Sequence, residues 1–374
     1  MTADLAAPDE LLAALDRMLR DEALSTKHGG GTYVRRFEQG FSRLLRVERA
    51  LSLNSGTAAL HAALIGLGVG PGDEVIVDPL LRFAAVAALR VGASPVFADL
   101  DPQSWLMDPE SAARVRTARS RAIVATAFFG LPTDPCALTK ATGGLPVIED
   151  CAQALLARRD GRTAGCGVAA GVFSFQSSKH LSTGEGGMMV TADPEVALRA
   201  LELREHGWRP GRRSEDCGLG WMYRMPEPCA AIGAARLAAV TERVAQHTAI
   251  GCWLDAAIED IAWLSPQAAG PEVTHARWRW GAAAESPKRL ANLLQRLQPH
   301  EPRLEVGFCH PGPIYLRSFL QDLAAAQSQP WTPGLCPVAE RLTERLLHLR
   351  IDLRHGEAAY QRLAEQLHTA ARAC

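Results

Sequence analysis

Two patterns of apolar and polar positions divide the chain. In its first 45 residues, apolar positions recur at helical spacing. Leu11, Leu12, Leu15, Met18 and Leu19 form one stripe between Asp9 and Leu24, with Asp9 placed to cap it, and Val34, Phe37, Phe41, Leu44 and Leu45 form a second. The glycines Gly29, Gly30 and Gly31 break the pattern between them. From Ala50 the pattern changes to short, nearly continuous apolar runs separated by helical stretches. ALSL, EVIVD, PVFADL, RAIVATAFF, LPVIED, VFSF and GMMVTA read as strands, with GTAALHAALIGLG, FAAVAALRVG and DPESAARVR (capped by Asp108) as helices among them. Strands without polar alternation are buried on both faces, so the pattern predicts an α/β fold with a mainly parallel sheet flanked by helices.

Beyond Asp193-Pro194 a helix is expected to about His206-Gly207, followed by a polar, Gly/Arg-rich exposed loop from Arg209 to Asp216. Glu227 to about Ile258 reads as one long alanine-rich helix bridging into a second domain. From about residue 260 onward the pattern predicts a smaller α+β domain. Trp263, Trp278 and Trp280 lie in its strand-rich part, and PVAERLTERLLHL is its closing helix. A chain of 374 residues suits a large domain of about 250 residues with a smaller one behind it, and we place them at 1–245 and 246–374.

Composition narrows the function classes. Net charge is −1, from 40 basic and 41 acidic residues, which gives no electrostatic footprint for nucleic acid. No apolar run reaches the roughly 18–20 residues of a membrane span. The opening MTADLAAPDELLAAL lacks a basic head and an apolar run, and so does not read as a signal peptide. Nine cysteines, an odd number without CxxC or histidine-rich spacing, suggest reduced thiols in a cytoplasmic protein and no metal site.

Doubly wound sheets place ligand groups at the carboxyl ends of their strands, and three such ends are informative. Asn54-Ser55-Gly56-Thr57 follows the first strand and opens a helix. Its free amides suit a phosphate, although an ordinary Ser/Thr cap has the same appearance. Asp150, at the end of LPVIED and followed by Gln153, puts a carboxylate where burial is costly unless a cation pairs with it. A protonated pyridine nitrogen is one such cation; a helix cap or a metal ligand is the alternative. SFQSSKHLSTGEGG, from Ser174 to Gly187, seats Lys179 between an apolar strand end and tight glycine turns. Most lone lysines are solvated surface charges. Together, however, a phosphate cradle, a strand-end aspartate and a glycine-flanked lysine are the groups that pyridoxal 5'-phosphate (PLP) needs.

The same stretches resemble the DegT/StrS family of PLP-dependent aminotransferases, within the aspartate-aminotransferase fold type I. The similarity is carried by TYVRRFEQGF, ALSLNSGTAALHAAL, GVGPGDEVIV, GASPVFADLD, IEDCAQA, FSFQSSKHLSTGEGG, REHG and YRM, with an echo in PVAERLTERLLHL. These cover most of residues 30–240 in the family's order. The resemblance implies a seven-stranded-type sheet and a Schiff base on Lys179, which also moves protons. It implies that Asp150 pairs with the pyridine nitrogen and that Gln153 contacts the ring's phenolic oxygen. Gly56, Thr57 and Ser174 would hold the phosphate, and Phe83 would stack on the ring.

It further implies a homodimer that moves an amino group from glutamate or glutamine, by way of the pyridoxamine form, to a keto sugar or keto-cyclitol in secondary-metabolite or surface-glycan biosynthesis. Nucleotide-linked sugars and free aminocyclitol or aminoshikimate-type rings both remain open as acceptors. Met222 stands where the family has an asparagine that reaches across the dimer to the phosphate, a hydrogen bond methionine cannot make. Arg82 replaces a small polar residue beside Phe83 and reads as an anion contact for the substrate, with a plain loop arginine as the alternative. Residues 264–330 match the family poorly. His180, next to the lysine, reads as a packed or solvent-facing histidine. Two other classes stay in view: a PLP enzyme of this fold doing elimination or oxidation, and a non-catalytic partner protein.

Overall fold

Seven strands form the central sheet: β1 (Arg49–Leu53), β2 (Glu74–Val77), β3 (Ser94–Phe97), β4 (Ser120–Thr126), β5 (Val147–Asp150), β6 (Ala170–Ser174) and β7 (Gly187–Thr191). They lie in the order β1-β7-β6-β5-β4-β2-β3. The pairs from β3 through β6 are parallel, whereas β7 runs antiparallel to both β6 and β1. This is the mainly parallel sheet the apolar runs predict. The computed structural model describes residues 8–21, 24–25, 31–209, 212–216, 218–297, 302, 305–306, 312–327 and 331–374.

Helices cover both faces of the sheet. Numbered along the chain they are α1 (Pro8–Arg20), α2 (Thr32–Leu45), α3 (Gly56–Gly66), α4 (Arg82–Arg90), α5 (Pro109–Val115), α6 (Pro135–Ala141), α7 (Pro194–Arg204), α8 (Glu227–Arg236) and α9 (Val240–Ala256). Alternate residues of each strand serve opposite faces. Val75, Val77, Val124 and Ile148 pack with α3 and α4, while Ile76, Ile123 and Val147 pack with α5 and α6 residues such as Ala112 and Leu138. Helix α3 is buried nearly all round, which explains its alanine-rich sequence. The predicted cap Asp108 accepts two backbone amides at the start of α5, and Asp193 does the same at the start of α7.

Four expectations are corrected. Helix α1 ends at Arg20 rather than Leu24, and Asp9 lies in its first turn rather than at its cap. Within its stripe only Met18 is buried, with Ala14, against Ala231, whereas Leu12 and Leu19 are exposed. Of the expected glycine break, Gly29 and Gly30 lie outside the described residues, and Gly31 is the N-cap of α2. The Arg209–Asp216 stretch is part of a two-stranded ribbon, Trp208–Arg209 with Arg212–Asp216, formed by pairing that no local apolar pattern announces. The long helix from Glu227 is two helices joined by a 3-10 turn at Leu237–Ala239.

The smaller antiparallel sheet contains β8 (Leu264–Pro266), β9 (Arg279–Ala284), β10 (Glu305–Val306) and β11 (Leu346–Arg350), in the order β8-β9-β11-β10. With it go α10 (Pro287–Arg296), α11 (Ser318–Gln327), α12 (Pro337–Arg345) and α13 (Glu357–Arg372). The fourth correction falls here. PVAERLTER is helix α12, but LLHLR is strand β11, and the closing helix is α13. The apolar run Leu346–Leu349 is buried on both sides, which suits β11 in its position between β9 and β10. Trp280 lies within β9; Trp278 and Trp263 just precede β9 and β8.

Candidate active site

The carboxyl ends of β1, β2, β5 and β6 converge on one cavity of about 360 Å³. It brings together the residues the resemblance assigns to the cofactor: Gly56 and Thr57, Phe83, Asp150 and Gln153, Ser174 and Lys179. Each is positioned by a distinct local device.

Ser55 caps α3 in an extended conformation, its Oγ accepting the Ala58 amide at 3.1 Å. That leaves the Gly56 and Thr57 amides at the helix start, where no intrahelical acceptor exists. A Cβ on Gly56 would lie 2.9 Å from Ser174 Cβ, and one on Gly187 would lie 2.3 Å from the Ser55 carbonyl oxygen. Backbone meets backbone in this corner, so glycine is required for the helix start to reach the Ser174 hydroxyl. Two amides, two hydroxyls and a helix N-terminus form a cradle suited to a phosphate.

Asp150 is buried, with Oδ1 accepting the Ala152 amide at 3.0 Å. Burial pushes its carboxyl up to about 6, the nearby Asp78 adds to that, and the Ala152 amide and Lys179 oppose it. Asp78, Thr126 and Asp150 terminate three neighbouring strands. Thr126 Oγ1 donates to Asp78 Oδ2 at 2.5 Å, and Asp78 Oδ1 accepts the Leu80 and Leu81 amides at 3.1 and 3.2 Å. Asp78 therefore fixes the turn that carries Arg82 and Phe83. Gln153 spends its Oε1 on the Phe129 amide at 2.8 Å, so it offers the cavity its amide hydrogens.

The lysine sits on a pinned loop. Gln176 Oε1 accepts both the amide and the hydroxyl of Ser178, and the Lys179 amide donates to the Gln176 carbonyl at 2.9 Å. Trp278 Nε1 donates to the Ser178 carbonyl at 2.7 Å, and its ring lies 4.0 Å, centroid to atom, from Lys179 Nζ. A cation held against an aromatic face is partly desolvated yet still stabilised. Sequence reasoning missed Trp278 as a site residue; it comes from the smaller sheet, 99 positions from Lys179, with nothing in its local pattern to mark it. Glu185, on the same cavity, was also missed. His180 is packed: Nε2 lies 2.9 Å from the Ala276 carbonyl and the ring is 4.7 Å from that of His247.

Phe83 remains 42% exposed despite its size, with its ring on the cavity. Arg82 lines the same cavity, its Cζ 5.9 Å from the Phe83 centroid. Met222 does not line the cavity but is held next to the cradle. Its carbonyl accepts Asn54 Nδ2 at 3.3 Å, and the neighbouring Tyr223 carbonyl accepts the Asn54 amide at 2.8 Å.

The family described as "DegT/DnrJ/EryC1/StrS aminotransferase family" matches residues 9–368. The chain belongs to that family. Among this aminotransferase's relatives, it is 35% identical to the GDP-perosamine synthase of Caulobacter vibrioides over 257 residues, 67% of this chain and 68% of that one. It is 43% identical to the L-glutamine:scyllo-inosose aminotransferase of Streptomyces griseus over 197 residues, 52% of this chain and 46% of the other. These matches thus span between about half and two thirds of the curated relatives' lengths. The fold superposes on DesV of S. venezuelae, solved in complex with a ketimine intermediate, with a TM-score of 0.85 and 28% identity, covering 97% of this chain and 94% of that one. Among the described residues, no helix is long and apolar enough to cross a membrane.

Proposed function

We propose that this aminotransferase uses PLP to carry an amino group from glutamate or glutamine to a keto group on a sugar or cyclitol, as a cytoplasmic homodimer. The observation that carries the reading is the single cavity joining Lys179, a buried Asp150 and the Gly56–Thr57–Ser174 cradle in a chain of this family. Bound there, PLP would supply an aldehyde that links covalently to amines and a ring that withdraws electrons from the attached carbon.

The chain's own groups divide the remaining work. The cradle would hold the phosphate, Phe83 would cover one ring face, and Gln153 would donate to the phenolic oxygen. Asp150 keeps a proton on the ring nitrogen; a carboxylate made costly by burial is stabilised by that cation. Lys179 Nζ would be the covalent anchor and the base that moves protons between carbons. Arg82, on the cavity rim, supplies an anion contact for substrate.

The acceptors named for the two curated relatives, a GDP-linked sugar and an inosose, motivate the substrate class. The homodimer is supported by an apolar patch beside the cradle: Leu219 is 98% exposed, Trp221 57% and Met222 62%. Seven free thiols among the described cysteines suit a reducing compartment. Residues 1–245 would carry the cofactor and 246–374 the smaller domain that closes on it.

The test is the absorbance of purified protein with PLP, before and after glutamate or glutamine, beside Lys179→Ala. A visible band that requires Lys179 and disappears on adding donor is expected. A band indifferent to both donors would point to elimination or oxidation chemistry. No band at all would sink the enzyme reading and leave a non-catalytic partner protein.

A further inference from the structure

On its other face, the Ser177–Gly184 loop walls a second, larger cleft of about 660 Å³. Opposite the loop stand Arg236 from α8, Arg243 from α9, Arg350 at the end of β11 and Arg354 in the turn that follows, with His247 also on the wall. Among the described residues the one carboxylate on this lining is Asp352, and it is already engaged. Arg354 Nε reaches its two oxygens at 2.9 and 3.1 Å, and Arg350 approaches to 3.5 Å. Arg236 donates to the Ser182 carbonyl at 2.7 Å.

Among the described residues Arg243 has no hydrogen-bonded partner. Its Nε is buried against no acceptor there, and burial, with the charges of Arg236 and Arg354, holds its guanidinium below the ordinary value against the pull of Asp352. His247 is 3% exposed. Its Nδ1 faces the Arg277 carbonyl at 3.2 Å, and its Nε2 is also buried without a protein partner. Four guanidinium groups gathered around one carboxylate repel one another, and an unmatched buried donor is costly. A ligand of opposite charge would match the excess and satisfy the buried donor. A single carboxylate would leave most of the excess unmatched, whereas guanidinium forks match the paired oxygens of a phosphate.

We infer that this cleft binds a multiply charged anion of the phosphate class, a phosphate or diphosphate ester, gripped by Arg243 and Arg354 with Arg236 and Arg350 beside them. Ser178 and Lys179 line both cavities, so an anion here braces the loop that presents the lysine. Two sources share this chemistry: the diphosphate of a nucleotide-linked substrate, or an independent phosphate metabolite. Only the first rests on the acceptor class proposed above; the cleft itself rests on its own residues.

The experiment is calorimetric titration of inorganic pyrophosphate into the full-length, cofactor-loaded protein, where the Gly56–Ser174 cradle is already filled. Wild-type protein should bind saturably, and more weakly as salt rises from about 50 to about 300 mM. Arg243→Gln/Arg354→Gln should weaken binding roughly tenfold or more while leaving the cofactor absorbance band in place. Arg350→Gln/Arg354→Gln, confined to the rim, serves as a second variant if the first does not fold. No saturable binding by wild type, or undiminished binding by the variants, overturns the inference. If pyrophosphate raises KM for the keto acceptor and leaves kcat alone, the site holds the substrate's own diphosphate. If it changes kcat without competing, the ligand is independent; either result upholds the cleft. Because binding is read without turnover, a protein that binds pyrophosphate but transfers no amino group would defeat the proposed function alone.

Discussion

On one side of the Ser177–Gly184 loop, a cradle suited to a phosphate is built from backbone amides, two hydroxyls and a helix start, with glycine contacts so close that no side chain fits. On the other side, the chain gathers four arginines around a single carboxylate. The first arrangement uses fixed dipoles that need no counter-charge when empty, and its close backbone contacts make it rigid. The second stores charge that Asp352 only partly offsets, with the rim arginines Arg350 and Arg354 standing in solvent. A cofactor that stays through many turnovers suits the first, and an anion that must arrive and leave suits the second. Lys179 sits between them, with Trp278 against its ammonium.

The comparison breaks most sharply at the lysine. Lys179→Ala should remove covalent anchoring and lower amino transfer by roughly 10³-fold or more, since one group does both jobs. Pyrophosphate binding in the arginine cleft should survive, measured on the same preparation. Joint loss would mean that the two cavities are one site.

Asp150→Asn comes next. The folded-state carboxyl lies at about 6, above its ordinary value of 3.8. A raised acid stabilises the fold only while protonated, so cofactor-free protein should lose stability as pH rises from about 4 through about 6. Above that range the neutral amide avoids the cost, on the order of 2–3 kcal/mol. Cofactor-free Asp150→Asn should therefore melt higher than wild type at pH 8 and about equally below pH 4. It should nonetheless lose most of its amino transfer, because the ring nitrogen has no carboxylate. Equal melting at pH 8 would show that Asp150 is not destabilised by its burial.

The cofactor cavity was legible in the sequence because its parts are local. Strand ends such as Ile148-Glu149-Asp150 and Phe173-Ser174 announce themselves by continuous apolar runs, and the residues that follow fall at the sheet's carboxyl edge. The arginine cleft was not. Arg236 and Arg243 sit on different helices, and Arg350 and Arg354 follow more than a hundred residues later, so no spacing links them before the chain folds. Trp278 was silent for the same reason. Strand β11 was misread because LLHL continues the apolar face of α12, and only pairing with β9 and β10 decides its conformation. The ribbon at Trp208–Asp216 likewise exists by pairing alone.

Gly56→Ala tests whether the cradle is as rigid as the contrast requires. The added methyl would stand 2.9 Å from Ser174 Cβ, and both positions are tied to the sheet, so relief must come from a backbone shift. Overpacking of this kind costs about 1–3 kcal/mol, roughly a 5- to 150-fold loss in PLP affinity. It should leave pyrophosphate binding unchanged. Wild-type PLP affinity would show instead that the cradle can adapt.

The smallest effect is expected at Met222. Its backbone is held by Asn54 while its side chain stands largely in the open, at the edge of the apolar patch. The resemblance implies an asparagine at this position that reaches across the proposed dimer to the phosphate, so Met222→Asn should add one hydrogen bond to a cradle made of hydrogen bonds. A net gain of about 1 kcal/mol corresponds to roughly fivefold tighter PLP binding. In the proposed homodimer the added donor would come from the neighbouring subunit, so the gain should appear only at protein concentrations where sedimentation shows a dimer. A gain in the monomer would place position 222 over its own subunit's cradle, and no gain in the dimer would leave Met222 as part of the apolar contact between subunits.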